Sequence, residues 1–201
     1  MKRLIFWIFA VLSVFAISAR AQSRTEIGLF AAGDRDRGYK ETSIGISGRG
    51  VLHFRSMALD GSIDWTVRAP KTGAQAPEGK TLTTSFLLRR YFLTNVYVVA
   101  GVDVNKLSSV LLDTTATSAA TGVGFEFGKL RLQGIYEPPD FTSGQSLSHY
   151  RVEAEYVRPI GKRHYVAFRP NASLVKFDRE SGPGTLLAER AGLTISFGRF
   201  W

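Results

Sequence analysis

From residue 24 onward, apolar and polar side chains alternate with a period of two, the pattern of strands whose faces meet different surroundings. Ten such segments are legible, at 24–32, 42–54, 57–68, 81–92, 95–104, 116–127, 130–136, 148–158, 164–177 and 185–201. The connections alternate as well. Those at 33–41, 69–80, 105–115, 137–147 and 178–184 are long and rich in Gly, Pro, Asp, Ser and Thr. Arg55-Ser56, Leu93-Thr94, Gly128-Lys129 and 159–163 are short. Interleaved long and short connections, with both ends on the short side, predict a closed antiparallel β-barrel of meander topology. Merging or deleting the weakest segments, 130–136 and 164–177, gives an eight-stranded alternative.

The two faces say what surrounds the barrel. In 116–127 one face reads Thr117, Ala119, Thr121, Val123, Phe125 and Phe127, the other Ala116, Ser118, Ala120, Gly122, Gly124 and Glu126. In 57–68, Leu59, Gly61, Ile63, Trp65 and Val67 oppose Asp60, Ser62, Asp64, Thr66 and Arg68. A soluble barrel turns its apolar face inward and shows Lys and Glu to water. Here the polar face is small, Gly-rich and sprinkled with Arg and carboxylates, which suits a crowded wet lumen, while the apolar face suits lipid. Hydrocarbon tolerates strands only in a closed barrel, because every backbone N–H and C=O must find a partner. The fold class is therefore all-β, a transmembrane barrel of about ten strands. Aromatic residues agree with two interfacial belts. Phe54, Phe92, Phe127, Tyr156, Phe197 and Trp201 lie near the short turns, and Trp65, Tyr136 and Tyr150 near the long connections.

Residues 1–21 stand apart. Lys2 and Arg3 precede Leu4 to Ile17, a run of 14 residues without a charge. Ala19-Arg20-Ala21 supplies the small–x–small pattern of signal-peptide cleavage, expected after Ala21 and leaving Gln22 first. The run falls short of the roughly 18 residues that a spanning helix requires. The domain reading is a signal peptide at 1–21 and a barrel at 22–201. Export demotes the nucleic-acid role that a net charge of +9 otherwise raises. With 0 Cys and 3 His, disulfides, thiol nucleophiles and Cys-ligated metals are excluded, and no cofactor is expected.

The last segment ends Gly192-Leu-Thr-Ile-Ser-Phe-Gly-Arg-Phe-Trp201, with Leu193, Ile195, Phe197 and Trp201 on one face. It resembles the terminal strand of bacterial outer-membrane β-barrels, and the chain as a whole is similar to the small OmpA/OmpW-like, porin-like barrels of Gram-negative bacteria. That resemblance implies an outer-membrane location and partners in the surrounding lipid. During biogenesis it implies periplasmic chaperones and the barrel assembly machinery, which reads those four residues as an insertion signal. It names no surface ligand. Arg199, on the same face as Phe197, and Pro170, inside the ninth segment, depart from the pattern. The proline suggests a bulge or an early strand end.

Strand parity sorts the charges. The lumen set holds Arg49, Arg68, Arg89, Arg131, Arg151, Arg169 and Arg190 against Glu26, Asp60, Asp64, Asp103, Glu126, Glu153 and Glu155. Seven against seven favours an internal ion-pair lattice over an ion-selective pore, and barrels of about eight strands are filled by their side chains whereas aqueous channels need about sixteen. The cationic excess falls at the short turns: Arg24, Arg55, Arg90, Lys129, Arg158, Lys162, Arg163 and Arg199, with no acid among them. Such a rim is suited to anionic lipid headgroups.

Catalysis finds little material. Ser148, His149 and Glu153 are the best candidates, but on a strand Ser148 points away from the other two. Asp60 and Asp64 lie about 13 Å apart at strand rise, too far for a direct acid–base pair. His53 and His164 belong to the short-turn end. The reading is a non-enzymatic outer-membrane barrel with a plugged lumen and a structural or surface-interaction role, carried by connections at 33–40, 70–80 and 138–148. A narrow passive pore, an outer-membrane enzyme and a soluble secreted ligand-binding barrel are the alternatives.

Overall fold

The computed structural model describes residues 23–36, 39–70, 79–93, 95–109, 113–138, 146–178 and 185–201; the leader expected at 1–21 lies outside them. Ten strands form: β1 (Arg24–Asp36), β2 (Tyr39–Phe54), β3 (Met57–Pro70), β4 (Gly79–Tyr91) and β5 (Val96–Ser109), then β6 (Asp113–Phe127), β7 (Leu130–Glu137), β8 (Ser146–Ile160), β9 (His164–Asp178) and β10 (Thr185–Phe200). Each pairs antiparallel with its neighbours in sequence, and β10 closes on β1. The barrel therefore has ten strands, and the segments weakest in sequence, 130–136 and 164–177, are separate strands, which removes the eight-stranded alternative.

Closure fixes the geometry. Directly opposed residues lead around the wall from Arg24 through Val51, Asp60, Leu87 and Gly101 to Ala120. Continuing the β6–β7 register by one residue reaches Glu137, and the path then runs through His149, Val175 and Ala188 to Asp36, twelve residues above its start. A stagger of twelve over ten strands tilts them by about 40°, within the usual range for such barrels.

Several strands run past the expected boundaries. The stretch 33–41 was expected as a loop, yet Gly33–Asp36 pair with Tyr39–Thr42. Residues 105–109 and 113–115 likewise extend β5 and β6. The reason is geometric. A 15-residue strand rises about 50 Å, which at this tilt exceeds the roughly 25 Å apolar band, so the barrel stands above it on the long-connection side. Polar residues there read as loop in sequence because water, not lipid, surrounds them. Strand β7, with 8 residues, is the short one and stops near the Tyr136–Tyr150 ring pair, 5.0 Å between centroids.

The short turns are tight. Arg55, Gly128 and Gly161 carry positive φ, of 43°, 59° and 76°. Glycine is suited to two of these positions, and Arg55 holds the third despite its side chain. Pro170 neither bulges nor ends β9. Its register with β10 is unbroken at Leu193, while the pairs with β8 skip from Glu153↔Asn171 to Tyr156↔Phe168 without a shift. The proline simply leaves a gap on the side where its missing N–H faces β8.

Candidate functional site

Parity now becomes contact. The outer wall is apolar, with Ile27, Leu29, Ile46, Val102, Phe125 and Ile195 all exposed. Phe92, Phe127, Tyr156, Phe197 and Trp201 are exposed at the short-turn end, Trp65, Tyr136 and Tyr150 towards the other. Leu193, Ile195, Phe197 and Trp201 share this outer face, and Arg199 lies 4.7 Å over the Trp201 ring.

The inward face carries a connected lattice. Arg49 donates from Nε to Asp60 at 2.8 Å and from Nη1 to Glu153 at 3.0 Å, and its Nη1 reaches Glu155 at 3.5 Å. Asp60 is shared with Arg89. Arg131 approaches Glu153 at 3.2 Å and Glu155 at 3.1 Å. Arg169 lies 2.6 Å from Glu26 and 3.9 Å from Glu155. Arg24 joins on Glu155 as well. Glu155, 2% exposed, thus meets four guanidiniums from β1, β2, β7 and β9. Charges buried this deeply persist only when paired and hydrogen-bonded on several sides.

Towards the opposite mouth lies a second group. Arg151 contacts Asp103 at 3.2 Å and Glu137 at 3.8 Å, and Asp103 accepts from Ser85. Glu137 also meets His149 Nδ1 at 3.0 Å and accepts from Ser118 at 3.3 Å. Elsewhere in the lumen, Glu126 accepts from the Tyr91 hydroxyl at 2.7 Å, and Arg190 lies 4.7 Å over Phe30. Asp64 is half-buried; the side chain of Arg68 lies outside the described residues.

Two assignments need correction. Arg24, expected on the basic rim, is buried and paired with Glu155, because even-numbered residues of β1 face inward from its first position. Seven cations of that set remain exposed on the rim: Arg55, Arg90, Lys129, Arg158, Lys162, Arg163 and Arg199. Glu137, expected in a long connection, is the last residue of β7 and 3% exposed. Extending the alternation of Arg131, Gln133 and Ile135 by one step would have found it. Ser148, His149 and Glu153 do not converge: His149 pairs with Glu137, and Glu153 with Arg49 and Arg131.

Sequence reasoning also missed two tyrosine–glycine joints. Tyr97 lies directly opposite Gly124, and Tyr165 opposite Gly198. A Cβ on Gly124 would sit 2.2 Å from Tyr97 Cζ, and one on Gly198 2.3 Å from Tyr165 Cζ. Each ring covers bare glycine backbone and is fully buried. Each also carries an arginine at 5.7 Å, Arg89 on Tyr97 and Arg24 on Tyr165. The joints therefore aim two lattice arginines across the lumen.

No protein-family model matches the sequence, and none of the curated proteins does. Among solved structures, the chain is similar to the outer membrane protease OmpT from Escherichia coli, at 8% identity and a TM-score of 0.42, over 92% of this chain and 97% of that one. It is similar to the attachment invasion locus protein Ail of Yersinia pestis, at 13% identity and a TM-score of 0.37, over 90% and 99%. Neisserial surface protein A follows at 12% identity and a TM-score of 0.39, over 88% and 96%.

Proposed function

We propose that the protein is a non-conducting, non-enzymatic outer-membrane β-barrel, delivered by a leader released after Ala21, with a structural or surface-interaction role. The observation that carries this reading is the lattice around Glu155. Arg24, Arg49, Arg131 and Arg169 reach it from four strands, and Arg89 extends the network through Asp60 to β4. A hydrated ion crossing the barrel must part paired charges that are almost wholly desolvated, at a cost of several kcal/mol per broken pair. Net charge within the lattice is small, so no single sign of ion is drawn in. What remains for interaction is the part of the barrel above the apolar band, where β1, β2, β5 and β6 extend as paired strands. Rigid strands present side chains with less ordering cost than loops do.

Planar bilayers test the proposal. The refolded wild-type protein is expected to give no stepwise conductance, whereas replacing Arg49 and Arg89 together by Ala opens a measurable path. Regular single-channel steps from the wild type would overturn the occluded lumen and favour the narrow pore.

A further inference from the structure

We propose that the outer wall at the turn end of β8–β10 is a binding site for the phosphate headgroup of an anionic phospholipid in the adjoining leaflet. The inference needs a barrel seated in a bilayer but not a closed lumen, so a conducting barrel would leave it intact.

Parity directs Arg158, His164 and Arg199 outward. His164 stands directly opposite Ile160 on one side and Arg199 on the other, and Arg158 lies opposite Val166 one step further in. The three side chains thus belong to adjacent strands, and the backbones of the outer two are about 12 Å apart, two strand spacings across and two residues along. That gap is within reach of two arginines closing on one phosphate. Lys162 and Arg163 add two exposed charges in the turn itself.

The surroundings are apolar on the membrane side. Ile160, Phe197, Tyr156 and Trp201 are exposed, the His164 ring stacks on Phe197 at 5.6 Å, and Arg199 stacks on Trp201. Trp201 is held in place, its backbone N–H donating to the Ser23 carbonyl at 2.9 Å and its indole N–H to Thr25 Oγ1 at 3.0 Å. Cations fixed beside lipid-facing rings match a molecule with a phosphate at one end and hydrocarbon at the other. A soluble acidic partner would meet the turn but not the flank. Among the described residues at this end, the side-chain carboxylates Glu26, Asp60, Glu126 and Glu155 face the lumen, so no acidic side chain offsets the cluster on the wall.

Trp201 makes the site readable. In the full chain carrying W7F and W65F it is the remaining tryptophan of the 3. This protein is refolded into phosphatidylcholine vesicles containing a small fraction of either brominated phosphatidylglycerol or brominated phosphatidylcholine, with bromine placed near the headgroup. The glycerol lipid is expected to quench Trp201 about fivefold more effectively, the contribution of one cation near an anionic surface, and the preference falls as salt rises. Neutralising R158Q, K162Q, R163Q and R199Q together brings the ratio to one. Neutralising R55Q and R90Q on the far side of the rim leaves it unchanged.

Equal quenching by both lipids in the parent protein overturns the site. So does an equal loss from the R55Q/R90Q control, which would make the preference a general surface potential. Loss of preference on adding inorganic phosphate at constant ionic strength would show a site for free phosphate and overturn the lipid assignment. A chain that stays out of the vesicles, with no faster-migrating band in unboiled gels, overturns the membrane reading along with it.

Discussion

Replacing Glu155 by Gln keeps the shape of the side chain and removes one charge from the centre of the lattice. The structure sets the size of the effect. Four guanidiniums lie within 3.9 Å of its carboxylate, from Arg24, Arg49, Arg131 and Arg169. At an effective dielectric near 20, each such contact is worth about 4 kcal/mol before desolvation is counted. Most of that is offset, because the charges also lose water. What the substitution exposes is the uncompensated remainder, about 3–5 kcal/mol for breaking a buried pair by removing one partner. The five arginines would then share Glu26, Asp60 and Glu153 alone. Glu153→Gln is the internal comparison: its side chain is 16% exposed against 2%, so water can replace part of the lost charge and the cost falls to about 1–3 kcal/mol. Urea unfolding in lipid vesicles, followed by tryptophan emission and by the fraction of heat-modifiable band, measures both. A second arm separates charge from shape: E155Q combined with R24Q restores the charge balance and should recover part of the loss. A loss below about 1 kcal/mol for E155Q, or no recovery in the double variant, would refute the idea that Glu155 holds the lumen together.

Two further outcomes follow from the wall. Gly124→Val and Gly198→Val each drive a side chain into a tyrosine ring and should cost about 1–3 kcal/mol, whereas Gly134→Ala, whose added Cβ meets nothing within 4 Å, should be close to neutral; urea midpoints compare the three. Val102, 43% exposed and six residues above the turn end of β5, lies near the middle of the apolar band, so Val102→Arg should cost about 2–4 kcal/mol in lipid vesicles and much less in short-chain detergent, where refolding yield and midpoint report it.

Much of this molecule is local in origin and therefore legible in the sequence. Whether a residue of β3 or β6 points in or out depends only on its parity, and parity is a property of neighbours along the chain. Strand number, the antiparallel order, the lipid-facing side and the aromatic ends all follow from that period and from the spacing of turn residues. Strand limits were less legible, because 33–36, 39–41, 105–109 and 113–115 change solvent rather than conformation: paired strand standing in water uses the same polar residues as a loop. Arg24 and Glu137 were misplaced for a related reason, each lying at the very end of a strand where turn chemistry and strand parity compete.

The tertiary structure decided which charges meet. Asp60 and Arg49 are diagonal neighbours on adjoining strands, but Arg24 finds Glu155 across 131 residues of sequence, and Arg169 finds Glu26 only because β10 closes on β1. Those encounters depend on the twelve-residue stagger, which accumulates around the whole ring and is written in no single segment. The same holds for the tyrosine–glycine joints: a glycine is visible in any sequence, but the ring that covers it is named only by register. Composition and period fixed a barrel and its two faces; closure chose the partners inside it.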